Sequence, residues 1–211
     1  MSSTPASKGL ILVVGGARSG KSAVAQRLAA RSGAPVVYVA TLAAGDTEMA
    51  ERIARHQRMR PAAWPTIEPG VRLPEELAAI EDDATALIDG LGGWIGTELL
   101  AACPNAAEHL DPRVSAALDE RIRGRITRLV EVVDGRRGLT IVVSEEAGMG
   151  VVPPYPLGRL FRDLLGEANA VLATRASRVL LVVAGLPLDL RRLAERDLLV
   201  EGDDAPDATE W

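Results

Sequence analysis

Gly15-Gly16-Ala17-Arg18-Ser19-Gly20-Lys21-Ser22 is the stretch on which the reading of this chain turns. Its spacing is G-x-x-x-x-G-K-[ST], that of a phosphate-binding loop. Leu10–Val14 before it is a short apolar run of the buried-strand type. Ala23–Ala29 after it has apolar residues at helical spacing and no proline. Strand, glycine loop and helix together aim backbone N–H groups and a helix N-terminus at one anion. Gly15 and Gly20 permit backbone angles and approaches that a Cβ would block. Lys21 is long enough to reach the β- and γ-phosphates of a nucleotide. The Ser22 hydroxyl is a hard oxygen donor placed for Mg²⁺. Lys8 and Lys21 are the only lysines; every other cation is arginine.

Working outward, 211 residues predict one domain with small extensions. Residues 1–8 read as a disordered N-terminal extension, 9–200 as the domain and 201–211 as an acidic flexible tail. Cys103 is the one cysteine, which excludes an internal disulfide and a cysteine zinc cluster. Met1–Gly9 lacks the apolar core of a signal peptide, and no apolar run approaches the ~20 residues of a membrane span. These features predict a cytoplasmic protein with no integral membrane segment. The net charge of −5 is uneven: residues 1–60 hold nine Lys/Arg against three Asp/Glu. A positive N-terminal third around the loop suits a polyanionic ligand. Six aromatics and an acidic total argue against nucleic acid.

Val36–Ala40 predicts a second buried strand, ending at Thr41-Leu42, and ligands of open α/β sheets bind beyond such ends. Asp46–Arg60 predicts a polar helix with a thin stripe of Met49, Ile53 and Met59, stopped by Pro61. A stripe that narrow faces solvent or covers a ligand. His56 stands there among Arg52, Arg55, Arg58 and Arg60, cations that disfavour its protonation. A neutral imidazole is a nucleophile, although a lone histidine on an exposed helix is also ordinary surface. Pro61–Pro74 predicts a loop or edge segment, and Glu75–Ile80 a short helix. Thr85–Asp89 is an apolar strand ending in a carboxylate, the Walker B pattern, which sets Asp89 opposite Ser22 on Mg²⁺. A helix follows within Gly90–Ala102, then a loop with the surface histidine His109. Arg113–Val133 predicts a long amphipathic helix with Val114, Leu118, Ile122, Ile126, Leu129 and Val133 inward. Leu139–Ser144 predicts a strand and Leu157–Arg175 a helix with Leu160, Phe161, Leu164 and Leu165 inward. Arg178–Ala184 is the last core strand, ended by Gly185-Leu186-Pro187, with a short helix over Leu190–Leu199. Strands too apolar for one-sided exposure, alternating with helices, predict an α/β parallel sheet covered on both faces.

The motif set resembles the bifunctional adenosylcobinamide kinase / adenosylcobinamide-phosphate guanylyltransferase family of cobalamin biosynthesis. The residues are GGARSGKS at Gly15–Ser22, Tyr38–Thr41, Arg52-Ile53 with His56, Arg60-Pro61, Trp64, Asp89 with Leu91 and Trp94, Glu146–Pro153, Tyr155–Arg159, Phe161–Asp163, Asn169 and Ala184–Pro187. They run in order from about Leu10 to Leu190, and GGARSGKS and EAGMGVVP are the specific ones.

The resemblance implies a RecA-like P-loop NTPase fold and a homotrimer. It implies that adenosylcobinamide is phosphorylated with ATP or GTP, and that its phosphate then takes GMP from GTP through a GMP-histidine intermediate. By resemblance His56 is that histidine, Lys21 acts in catalysis, and Ala40, Thr41, Leu42, Gln57, Arg58, Met59, Arg60, Glu68 and Asp89 join Gly15–Ser22 at the nucleotide. Mg²⁺ is the cofactor, held by Ser22 and Asp89. The chain departs from the family pattern where Gly90 and Gly92-Gly93 replace Cys, Thr and a larger residue, where Glu145 replaces Asn, at Ser177-Arg178, and in the acidic tail. An added carboxylate beyond a strand is expected to repel phosphate. A single-activity small-molecule kinase and a non-catalytic GTP-binding module remain the alternatives.

Overall fold

The computed structural model describes residues 8–42, 61–103 and 110–194. Seven strands form one sheet: β1 (Gly9–Gly15), β2 (Val36–Ala40), β3 (Thr66–Ile67), β4 (Thr85–Asp89), β5 (Leu139–Glu145), β6 (Arg178–Val183) and β7 (Leu186–Asp189). Their spatial order is β3-β2-β4-β5-β1-β6-β7. Every neighbouring pair is parallel except β6 with β7. The helices are α1 (Lys21–Ala30), α2 (Leu73–Ala78), α3 (Leu91–Ala102), α4 (Pro112–Gly135), α5 (Pro156–Arg175) and the single turn α6 (Leu190–Leu193).

Side chains alternate across a strand, so β1 feeds two cores. Leu10, Leu12 and Val14 face one cluster, which collects Leu77, Trp94, Ile95, Ile122, Leu129, Leu164 and Leu172 from α2 to α5. Ile11 and Val13 face the other, shared with Val24, Ala25 and Ala29 of α1. Helices therefore cover both faces, and the central strands are apolar throughout because neither side meets water. Trp94 is fully buried and donates its indole N–H to the Val71 carbonyl at 3.4 Å.

Two arginines tie α4 and its C-terminal end to the neighbouring helices and turns. Arg136, just past α4, is buried and donates to the carbonyls of Leu77, Ile80, Glu81 and Ala84. Those carbonyls lie at the end of α2 and in the turn into β4, where the Leu77 and Glu81 oxygens also accept the Ile80 and Ala84 N–H groups. Gly138 completes the clamp, since a Cβ there would sit 2.5 Å from the Ala84 oxygen. Arg125 of α4 reaches Glu98 of α3 at 2.9 Å and Glu75 of α2 at 2.7 Å. Its hydrogen bond holds the Glu75 carboxyl at about 2.

The structure amends several sequence-based boundaries. The helix expected at Glu75–Ile80 spans Leu73–Ala78, with Pro74 in its first turn, where a missing N–H costs nothing. Within Pro61–Pro74, expected as loop or edge segment, Thr66–Ile67 forms the edge strand β3. Val114 is exposed, not inward; the buried stripe of α4 is Leu118, Ile122, Ile126, Leu129, Val130 and Val133. The strand expected at Arg178–Ala184 does end before Gly185, as β6, but the sheet continues beyond it. Ala184 and Gly185, at φ of 51° and 80°, form a two-residue turn, and the chain returns as β7. Pro187 is tolerated because β7 is an edge. The helix expected over Asp46–Arg60, the loop holding His109, the end of Leu190–Leu199 and both terminal extensions lie outside the described residues, wholly or in part.

Candidate active site

Parallel pairing brings one end of five strands together. Gly15 of β1 pairs with Glu145 of β5, Asp89 of β4 with Val143 of β5, and Ala40 of β2 with Asp89. Glu68 follows directly on β3 and is exposed. The row of carboxyl ends is the ligand side expected of such a sheet.

The glycines of the loop answer to space as well as angle. A Cβ on Gly15 would lie 2.6 Å from the Val182 oxygen and 2.7 Å from Ser19 Oγ. Gly20 has φ of 91°, and a Cβ there would approach Gly185 Cα to 3.2 Å. The Gly185 N–H donates to the Ser19 carbonyl at 2.8 Å. The β6–β7 turn thus braces the loop, a role that the sequence signalled only through the adjacent Ala184-Gly185. Gly16, Ala17 and Arg18 are exposed, with Arg18 at φ of 55°. Ser19 Oγ is buried without a hydrogen-bond partner among the described residues. Gly20 gives α1 no side-chain cap, so the first-turn N–H groups stay available to an anion. Lys21 is buried and donates to the Gly16 carbonyl at 3.2 Å.

Ser22 Oγ donates to Asp89 Oδ1 at 2.9 Å. Loop and strand end meet as their spacing required. A hydroxyl and a carboxylate side by side are the hard oxygen donors that suit Mg²⁺, which takes its remaining ligands from phosphate and water. Among the described residues no cluster of three or more His, Cys, Asp or Glu offers a metal a richer site. The hydroxyl of Tyr38, buried in β2, donates to Asp89 Oδ2. The sequence places Tyr38 within a strand and in the family-like stretch Tyr38–Thr41, with no part in the site assigned to it.

Thr41 is buried, and its hydroxyl donates to the Asp89 carbonyl at 2.9 Å and to that of Gly90. Its side chain joins two strand ends instead of presenting a free hydroxyl. The glycines after Asp89 make room for this joint. A Cβ on Gly90 would lie 2.9 Å from Thr41 Oγ1, and one on Gly93 2.8 Å from Leu42 Cδ2. At the next strand end Glu145 Oε1 lies 3.9 Å from Lys21 Nζ, while Oε2 accepts from the Gly92 N–H at 3.2 Å. The structure therefore gathers Gly15–Ser22, Ala40–Leu42, Asp89 and Glu145. His56 and Gln57, Arg58, Met59 and Arg60 lie outside the described residues.

A phosphate-binding loop on β1 and a Walker B carboxylate on β4, with β5 inserted between them, define a P-loop NTPase of RecA-like architecture. Residues 11–190 match the family model described as cobinamide kinase / cobinamide phosphate guanyltransferase, and the chain belongs to that family. It is accordingly a kinase and nucleotidyltransferase. The bifunctional adenosylcobalamin biosynthesis protein CobP of Pseudomonas aeruginosa is 40% identical over 181 residues, covering 85% of this chain and 96% of that protein. The corresponding CobU of Escherichia coli is 36% identical over 183 residues, covering 86% and 99%. That of Salmonella typhimurium is 38% identical over 186 residues, with the same coverage of 86% and 99%. Among solved structures, the flagellar accessory protein FlaH of Methanocaldococcus jannaschii is 15% identical at a TM-score of 0.41, over 86% of this chain and 75% of its own. A type III secretion system ATPase is 10% identical at a TM-score of 0.49, over 90% and 59%. Both likenesses are too loose to bear on function.

Proposed function

We propose that the protein carries out two steps of adenosylcobalamin assembly at one nucleotide site. It phosphorylates the aminopropanol hydroxyl of adenosylcobinamide with ATP or GTP. It then joins GMP from GTP to that phosphate, giving adenosylcobinamide-GDP and pyrophosphate. The observation that carries this reading is the Ser22–Asp89 contact at 2.9 Å beside Lys21, in a chain whose residues 11–190 match the family. Lys21 and the loop N–H groups neutralise the polyphosphate. Ser22 and Asp89 would hold Mg²⁺, which would supply positive charge to the polyphosphate. Ala40, Leu42 and the Thr41 backbone, with Gln57–Arg60 and Glu68, line the nucleotide.

His56 is the nucleophile of the second step. Its imidazole nitrogen forms a bond to the α-phosphorus, the bond to the bridging oxygen breaks, and pyrophosphate leaves. The cobinamide phosphate oxygen then displaces the imidazole. Dividing the transfer lets one site serve each half in turn. The family resemblance over residues 11–190 supports this role and a homotrimer. No helix among the described residues is long and apolar enough to cross a membrane, and with a single free cysteine we place the protein in the cytoplasm.

The test is incubation with Mg²⁺ and GTP labelled at the α-phosphate, with His56→Ala in parallel. An acid-labile label on the wild type that the variant lacks is the expected result. Unlabelled protein that still phosphorylates cobinamide would leave a single-activity kinase. Tight GTP binding with no turnover on either acceptor would leave a binding module.

A further inference from the structure

Two of the departures from the family pattern meet at one point. Gly92 lies in the first turn of α3 and Glu145 ends β5. A Cβ on Gly92 would lie 2.6 Å from Glu145 Oε2, so a threonine there would contest the space that the carboxylate fills. Glycine for the larger residue and Glu for the shorter Asn are one exchange. Its net result is a carboxylate inside the phosphate site. The Gly92 N–H fixes one oxygen at 3.2 Å, and the other stands 3.9 Å from Lys21 Nζ. The strand end is itself held, since Asn169 Nδ2 of α5 donates to the Glu145 carbonyl at 3.0 Å.

Lys21 must approach the γ-phosphate to ordinary ion-pair distance. A carboxylate beside that ammonium would then stand next to a γ-phosphate bound there. Its side chain is 34% exposed, so one side stays open to an incoming hydroxyl. Phe161 and Leu165 border it through the Gly92 position, where each has an atom 3.3 Å from the site of a Cβ. The loop that continues from β5 exposes Met149, Val151, Val152 and Tyr155. Phe161 and Leu165 give the carboxylate an apolar border on the side of α5. Glu146 is turned elsewhere, with Oε1 accepting the Gly148 N–H at 2.7 Å.

We propose that Glu145 is the general base of the kinase step. The acceptor O–H bond breaks and its proton passes to a Glu145 oxygen. The acceptor oxygen bonds to the γ-phosphorus, the bond to the β,γ-bridging oxygen breaks, and the nucleoside diphosphate leaves. An Asn at this position orients a hydroxyl but cannot take its proton, so the assignment concerns this chain's own chemistry. It rests on the kinase half of the proposed function.

The experiment compares wild type, Glu145→Gln and Glu145→Ala in three measurements: kinase turnover, nucleotide affinity, and GMP transfer to supplied cobinamide phosphate. Glu145→Gln is expected to lower kinase kcat by about 10²-fold, the usual scale of a positioned base. Its nucleotide affinity should hold or rise, because a negative charge beside the phosphates is gone. GMP transfer should fall far less. Glu145→Ala should regain part of its kinase activity with added formate, which no packing defect would do. Kinase kcat unchanged in Glu145→Gln overturns the assignment. So does a parallel loss of both activities and of nucleotide binding, which marks a structural role. A wild type without kinase turnover overturns the functional reading beneath it.

Discussion

Asp89 is held by donors on both carboxylate oxygens, Ser22 on Oδ1 and Tyr38 on Oδ2. Ser22 is a candidate ligand in its own right. Tyr38 is too deep in the sheet for that; its hydroxyl fixes the orientation of the carboxylate that is proposed to hold Mg²⁺. Partners of this kind, one step behind a metal ligand, typically change affinity or activity by about 10- to 100-fold. Tyr38→Phe keeps the ring in its pocket and removes only the donor. It is expected to raise the Mg²⁺ concentration for half-maximal turnover by about tenfold. Thermal stability should change little. A Mg²⁺ titration of the kinase reaction, with a melting curve alongside, checks it. The two side chains differ in legibility for a physical reason. Asp89 ends an apolar run and so marks itself in one dimension. Tyr38 acts across a strand pairing, Ala40 with Asp89, that exists only once β2 lies against β4.

Elements are held in place by backbone groups as much as by apolar area, and Arg136 is the clearest case. It donates to four carbonyls between Leu77 and Ala84; those of Leu77 and Glu81 also accept backbone N–H groups, so its loss bears most on Ile80 and Ala84. Arg136→Met retains the aliphatic bulk and removes the donors. The expected cost is about 3 kcal/mol, from those two unpaired carbonyls, partly reached by water. In a domain of this size that is a fall of about 10 °C in melting temperature. Arg136→Lys should recover part of it, since one ammonium reaches fewer of the four. Calorimetry on the three proteins decides the matter, and a Met variant that melts with the wild type would show that the clamp is dispensable. Nothing in Gly135–Gly138 announced this arginine, because its acceptors come from 52 to 59 residues earlier in the chain. The helices and central strands were legible because periodicity is local: Val36–Ala40 and Thr85–Asp89 have the expected bounds. β7 is not legible in the sequence because Gly185 and Pro187, on either side of Leu186, read as a stop. Only pairing with β6 shows Leu186–Asp189 to be an edge strand. Val114 fits the α4 period, but it lies within the first turns, beyond the reach of the sheet.

At the scale of the molecule, one loop stands at the meeting of everything the proposed chemistry needs. Its strand lies between β5 and β6, its helix covers one face of the sheet, and its turn leans on the β6–β7 hairpin. Two reactions with different acceptors are proposed here, yet the described residues contain one such loop and one lysine aimed into it. Lys21 therefore discriminates between a shared site and two independent ones. In the kinase step its ammonium offsets charge moving onto the leaving diphosphate. In GMP transfer the same charge lies on the leaving pyrophosphate, so one cation serves both. Lys21→Ala is expected to lower both activities by at least about 10²-fold, the scale for loss of a preorganised charge at a developing anion. His56 labelling by α-labelled GTP should fall with them. Lys21→Met keeps most of the buried stem volume and should fail equally, which separates lost charge from a collapsed loop. Parallel assays of ATP-dependent phosphorylation and GMP transfer, with circular dichroism as the folding control, make the measurement. Kinase turnover that survives in a folded Lys21→Met protein would sink the shared site, because the γ-phosphate would then be held somewhere other than Gly15–Ser22.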